Sequence, residues 1–336
     1  MADLNIQTLG DFVRNAEIMW NMGIESVPQV MRNSGLVKEM NIPQMTGNVR
    51  EFTEIDLEEY ASFKGESDQT VRARVQQGYS KTATLSRIGK QISISYEMRT
   101  QGKYFEIKQK ITNLGKLVPN RLDLDLSHRI GFGTATTYLD QDGRTIDISV
   151  GDTLALFSTA HTLRGSSTTF RNRLATNPQL SRGSLEAMEK VRVENTLNQF
   201  AQKMYMTDDI LWTTDDPNTI NTAKELLRST ANPTSSNNGV INTYQSKYKL
   251  VVIPRIATDA NGAVDSTKAK YWGLASSQHS TFYLGVHEEA HLESPVQGSS
   301  ATDFSTQDWN FGTWGGYLMC IVSATWIGGS TGDGTA

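Results

Sequence analysis

The chain has 336 residues, 38% hydrophobic and 20% charged, with a formal net charge of −4. That length allows one large domain or two smaller ones with real cores, and the composition argues against wholesale disorder. The mildly acidic balance argues against a dedicated nucleic-acid binder, which carries a basic excess, but leaves room for a protein that surrounds nucleic acid.

The single cysteine, Cys320, lies in an apolar run. No intramolecular disulfide is available, and the thiol reads as a small hydrophobe. Met1–Asn5 lacks the basic-then-apolar order of a signal peptide, and the apolar stretch around Tyr317 to Ile327 is too short to span a bilayer as a helix. The expectation is synthesis in the cytoplasm and no membrane partner.

Residues 4–40 place Leu9, Phe12, Val13, Ala16, Met19 and Trp20 at helical spacing, with breaks at Gly23, Pro28 and Gly35. This predicts an amphipathic arm with more apolar surface than it can hide on itself, so that it lies on a neighbour, with Trp20 as a candidate contact. Arg50–Leu57 and Gln91–Tyr96 alternate polar and apolar residues, as strands with one solvated face do. They frame a charged, aliphatic-poor stretch, which predicts a long hairpin that becomes sensible if it reaches over another subunit.

Lys103–Ile130 carries a helical pattern (Phe105, Ile107, Ile111, Leu114, Leu122, Leu126) with Pro119 forcing a break or kink near its middle. Residues 131–180 are loop-rich. Ser181 or Ser184 can cap a second long helix whose apolar side runs from Leu185 through Leu197 and Phe200 to Met204. A further helix follows Asp215-Asp216-Pro217, residues 232–242 form a loop, and Lys249–Pro254 is a strand. Strands are expected near Tyr271–Ala275, Phe282–Glu288 and Tyr317–Trp326, before a Gly/Ser/Thr tail. The fold class is α+β.

His287-Glu288-Glu289-Ala290-His291 matches H-E-x-x-H, in which two histidines one helical turn apart bind zinc and the glutamate is the general base. That chemistry needs a helix, but Thr281–Val286 is β-favouring and Pro295 follows closely. On a strand the two imidazoles stand roughly 13 Å apart, too far for one ion. His161, beside a hydroxyl-rich loop, reads as a hydrogen-bonded structural histidine, since no G-x-S-x-G elbow accompanies it. Arg164, Arg171, Arg173 and Arg182 could touch phosphate but read more simply as a solvated face or salt-bridge site. No phosphate-binding or dinucleotide loop is present.

The hairpin tip says more. Glu58, Glu59, Glu66 and Asp68 precede Arg72 and Arg74, with Lys64 between them. Blocks of opposite sign on one projecting element suit head-to-tail pairing between copies of one molecule.

Several phrases together resemble tailed-bacteriophage major capsid (head) proteins, in particular the Mu-like major head subunit family. They are Leu156-Phe157-Ser158-Thr159-Ala160-His161 leading to Asn172, Leu180-Ser181, Leu250–Pro254, Trp272-Gly273-Leu274 and Phe282–Val286. The resemblance covers roughly residues 10–328 as an order of elements and short phrases, without one diagnostic motif.

The resemblance implies the Hong-Kong-97-type capsid fold: an N-terminal arm (1–45), an extended hairpin loop (46–97), and a peripheral domain with its spine helix (98–134 and 271–328). An axial domain (135–270) and a flexible tail (329–336) complete it. It also implies a non-enzymatic subunit, without cofactor or metal, that self-assembles through pentamers and hexamers into an icosahedral phage head around double-stranded DNA. The implied partners are other copies, scaffolding, portal and decoration proteins, and DNA held non-specifically, with the virion as the location. No long charged helical segment that could act as a fused scaffold is read before the arm, so any scaffolding protein is expected to be a separate one; no Lys–Asn cross-linking pair is assignable, so non-covalent assembly is expected. The alternatives are a zinc-dependent hydrolase using His287, Glu288 and His291, or another virion structural protein of a tail or decoration type.

Overall fold

The computed structural model describes residues 9–45, 47–230, 241–294 and 308–334. Its longest element is helix α3 (Tyr104–Gly131), which buries Ile107, Ile111, Leu114, Val118, Leu122, Leu126 and Ile130 along one side. The helix continues through Pro119, so the break, one of the two expected outcomes, does not occur. Proline removes one intrahelical hydrogen bond at a cost of about 3 kcal/mol, and burial of the aliphatic row on both sides of Pro119 outweighs that loss.

Helix α1 (Leu9–Glu25) lies along α3 of its own chain. Ala16, Met19 and Trp20 meet Ile107, Ile111 and Leu114 in one cluster. Two glycines permit the approach: a Cβ on Gly23 would collide with the Thr112 carbonyl, and one on Gly115 with that of Trp20. The next segment is tied to the same helix where Met31 N donates to Asp123 Oδ1 at 2.9 Å and Arg255 pairs with Asp123 Oδ2 at 3.2 Å.

Two four-stranded sheets flank α3. The first has the order β1-β12-β13-β4, from β1 (Lys38–Asn41), β12 (Phe282–Glu293), β13 (Trp309–Ile321) and β4 (Ser86–Ile94), with β1 parallel to β12 and the rest antiparallel. The second has the order β10-β9-β11-β14, from β10 (Lys249–Val252), β9 (Ile210–Thr213), β11 (Trp272–Ala275) and β14 (Ile327–Ser330). One core joins α3 to both: Val118, Leu126, Trp212, Phe282, Tyr317 and Trp326 belong to a single buried cluster. A second core under helices α4 (Arg182–Asn195) and α5 (Pro217–Arg228) packs Leu185, Met188 and Leu226 against Leu211 and Trp272.

Four features differ from the sequence reading. Gln91–Tyr96 is not a hairpin limb: Ile92 and Ile94 belong to β4, paired with β13, and the partner of β2 (Val49–Leu57) is β3 (Val75–Thr84). Helix α4 stops at Asn195, because Asn198 Oδ1 accepts from the amides of Phe200 (3.0 Å) and Gln202 (2.9 Å), offering the backbone a turn in place of another helical coil. β11 and β14 join the sheet of β9 and β10, so a boundary at residue 270 would divide one sheet.

The expected flexible tail begins inside a buried strand: Gly328 and Gly329 pair with Leu274 and Gly273. A Cβ on Gly329 would stand 2.7 Å from the Phe157 ring, so glycine here serves close packing and not freedom. By contrast, Ser181 caps α4 in a reciprocal box with Ser184, as expected, and α5 follows Asp215-Asp216-Pro217, as expected, with Asp216 as its cap. Most of the 232–242 loop lies outside the described residues. Among the described residues, no helix is long and apolar enough to cross a membrane.

Candidate inter-subunit surface

The β2–β3 hairpin pairs from Val49↔Thr84 to Leu57↔Val75, with a register shift beyond Thr53. The extra residue falls at Gly78–Tyr79, opposite Glu54. A Cβ on Gly78 would stand 2.9 Å from Glu54 Oε2, so glycine lets the strands close over that carboxylate. Alternation along β2 turns Phe52, Glu54 and Asp56 toward the body and Ile55 and Leu57 outward.

The inward face is anchored at its base by apolar packing and farther out by polar bonds. Phe52 stacks on Tyr283 at 5.0 Å. Lys81 Nζ donates to Asp147 Oδ2 at 2.6 Å, Arg164 Nη1 to the Gly78 carbonyl at 2.9 Å, and Tyr79 Oη and Thr162 Oγ1 share a hydrogen at 2.8 Å. Gln199 holds two carboxylates at once: its amide N–H donates to Asp56 Oδ2 at 2.9 Å and its Nε2 to Glu54 Oε2 at 3.0 Å. Burial, with the neighbouring Asp56 charge, pushes Glu54 up to about 7 against the hydrogen bonds from Gln199 and Ser323.

The strand pair β7 (His161–Leu163) and β8 (Ser166–Phe170), which supplies Thr162, is pinned by His161. The imidazole is fully buried, with Nδ1 2.8 Å from Asp152 Oδ2 and Nε2 3.2 Å from the Leu156 carbonyl. Burial raises the Asp152 carboxyl, but the His161 bond and the amides of Leu154 and Thr162 pull it below its ordinary value. His161 is therefore the hydrogen-bonded structural residue expected.

The outward face has the opposite character. Ile55 is 67% exposed, Leu57 57% and its partner Val75 62%, and the tip adds exposed Tyr60, Phe63 and Val71. Water meets a row of large apolar side chains that none of the described residues covers.

No protein-family model and no curated protein matches the chain. Solved structures do. The capsid structure of cyanophage P-SCSP1u superposes with a TM-score of 0.53 at 9% identity, covering 87% of this chain and 85% of that one. A chain of Mycobacterium phage Cain gives 0.52 at 11% identity over 91% of each, and the cyanophage Pam1 capsid gives 0.50 at 10% identity over 91% and 94%. The chain has the Hong-Kong-97-type capsid fold.

Within this capsid fold the eight charged and aromatic contact candidates separate. Glu58 and Arg74 close the hairpin: Arg74 Nη2 lies 2.6 Å from Glu58 Oε1, which holds the Glu58 carboxyl below its usual range, while the guanidinium covers the Phe200 ring at 5.3 Å. The Glu59 amide donates to Gln202 Oε1 at 2.8 Å. Lys64, Glu66, Asp68 and Arg72 are exposed at the tip, where the Gly65 amide donates to Asp68 Oδ2 at 3.1 Å. Trp20 is turned inward, its Nε1 donating to Thr313 Oγ1 at 3.2 Å. The charge pattern led to the tip but passed over Ile55, Leu57 and Val75, whose odd-numbered positions in the two strands were the available signal.

The zinc motif lacks its helix. His287, Glu288 and His291 lie on β12, where His287 Nδ1 faces the Ile42 carbonyl at 3.0 Å and His291 packs edge-on to Trp314. The arginine group is dispersed among separate partners: Arg164 holds the hairpin, Arg173 donates to Asn177, and Arg182 pairs with Glu186. Burial pushes the Cys320 thiol up to about 11, which suits a packed hydrophobe and disfavours a thiolate.

Proposed function

We propose that the protein is a major capsid subunit that self-assembles through pentamers and hexamers into an icosahedral phage head enclosing double-stranded DNA. The observation that carries this reading is the hairpin of a capsid-fold chain, docked by its polar face and exposing Ile55, Leu57 and Val75 on the other. Such a row is stabilised by covering it, and in a closed shell each copy offers the same row to its neighbour. Many modest contacts repeated around the shell then give large total stability without disulfides.

On this reading residues 46–97 contain the loop that reaches a neighbour, α3 is the spine of the peripheral part, and the sheet of β9, β10, β11 and β14 belongs with the axial part. The Mu-like grouping rests on the order of short phrases in the sequence. The subunit is structural and non-enzymatic, acts in the virion after synthesis in the host cytoplasm, and meets scaffolding, portal and decoration proteins as well as non-specifically held DNA.

Negative-stain electron microscopy and sedimentation of the purified protein test the proposal. Closed shells, capsomer tubes or five- and six-membered rings are expected. A narrow helical tube would indicate a tail component, and a monodisperse monomer or dimer at concentrations permissive for shells would overturn the reading.

A further inference from the structure

Away from the hairpin, α5 and β10 frame an open-mouthed cavity of about 440 Å³, lined by Lys224, Arg228, Ser246, Lys247, Tyr248 and Lys249 among others. Four cations converge there in a chain whose acidic residues outnumber its basic ones, 36 to 32, and no carboxylate of the described residues lines the space. Lys247 alone of the four is ion-paired among the described residues, with Glu189 Oε1 at 2.7 Å. Residues 231–240, which lead out of α5, contain neither Asp nor Glu to neutralise the others.

The cations are held by ordered elements. Lys224 and Arg228 stand four apart on α5, hence on one face, and the helix is fixed by its Asp216 cap and buried Ala223, Leu226 and Leu227. The Lys247 ammonium sits over the Tyr244 and Tyr248 rings at 5.1 and 5.3 Å. Lys249 begins β10, its amide donating to the Asp209 carbonyl at 2.8 Å.

The C-terminal end of α5 would ordinarily repel an anion. Here three of its carbonyls are occupied: Asn242 Nδ2 donates to those of Leu226 (2.6 Å) and Ser229 (2.9 Å), and the Ser246 amide donates to that of Leu227 (3.0 Å). What faces the cavity is therefore net positive charge, three of its four cations without an ion pair among the described residues, with the Ser246 hydroxyl beside it.

We propose that this cavity binds phosphoryl oxyanions, supplied either by a nucleic-acid backbone or by free polyphosphate. A phosphoryl group offers several acceptor oxygens to several cations at once, relieving their mutual repulsion. The inference stands independently of shell assembly.

The test compares the wild-type protein with the triple variant Lys224→Gln/Arg228→Gln/Lys249→Gln and with Lys108→Gln on the exposed side of α3. All four side chains are exposed, and circular dichroism verifies that the folds match. Binding of tripolyphosphate is measured by calorimetry, and that of a labelled single-stranded oligodeoxynucleotide by anisotropy at two ionic strengths. The triple variant should lose about tenfold or more in tripolyphosphate affinity, and Lys108→Gln should lose nothing. If oligonucleotide binding falls equally and its salt slope drops by about two, the backbone of nucleic acid is the source. If only tripolyphosphate binding falls, free polyphosphate is.

Absence of tripolyphosphate binding in the wild type, or equal binding by the triple variant, would overturn the proposal. So would lost assembly with anion binding intact, because the cations would then be a contact between copies.

Discussion

Gln199 Nε2 donates to Glu54 Oε2 at 3.0 Å, across the seam between the β2–β3 hairpin and the body of the subunit. Glu54 is half-buried, stands beside Asp56 on the same strand, and is pushed up to about 7. The docked hairpin therefore favours the protonated carboxyl, whereas the unfolded chain titrates near the ordinary value of 4.5. The contribution is fully present below that ordinary value and is lost as pH rises to about 7. Glu54→Gln should match wild type in thermal stability at acid pH and exceed it by about 1–3 kcal/mol at pH near 8. Thermal melts of the unassembled subunit across this range check it; a gain independent of pH would refute the assignment.

Gly115 is the tightest point of the α1–α3 crossing, since an added Cβ would meet the Trp20 carbonyl oxygen, which is backbone and cannot rotate away. Gly115→Ala should cost about 1–3 kcal/mol despite alanine's better helix propensity. Urea denaturation measures it. An unchanged or raised midpoint would show that α1 does not pack here.

Asn172 ties three chain segments together. Its Nδ2 donates to the carbonyls of Leu156 (2.7 Å), Ala324 (3.2 Å) and Ile327 (3.1 Å), while Oδ1 accepts from the Ser158 amide at 3.0 Å. Asn172→Asp replaces the buried donor with an acceptor facing three carbonyl oxygens, and should destabilise by about 3 kcal/mol or more, exceeding Asn172→Ala. Chemical denaturation of both variants should show this order, and the reverse order would contradict the geometry.

Leu57→Glu and Val75→Glu change only the outward hairpin face. The melting temperature of the isolated subunit should stay within the range of ordinary surface substitutions, about ±0.5 kcal/mol. Shell formation, read by sedimentation, should be lost. Shells that form at wild-type yield would remove this face from the assembly contacts.

Elements governed by local rules were legible in the sequence. The apolar rows of α1 and α3, the Asp216-Pro217 start of α5 and the β10 strand all follow from spacing or capping. What escaped depends on distant partners or on glycine. Nothing local in Gln91–Tyr96 distinguishes pairing with β2 from pairing with β13, and β14 has glycine where side-chain alternation would mark a strand.

At the candidate surface, charge blocks directed attention to residues 58–74, yet the exposed apolar row was hidden in a pattern first read as ordinary strand alternation. The cationic cavity was missed because its residues fall on two elements separated by a turn and by residues 231–240.

Both sheets are closed by late partners. β4 and β1 depend on β13 and β12, and β9 has its second neighbour only when β11 arrives, which in turn awaits β14. The early strands therefore keep bare edges until the later ones have been made, and the sheets close slowly, as topologies rich in distant pairings do. On the proposed capsid reading, a copy that has paired its own strands no longer offers those bare edges to another copy.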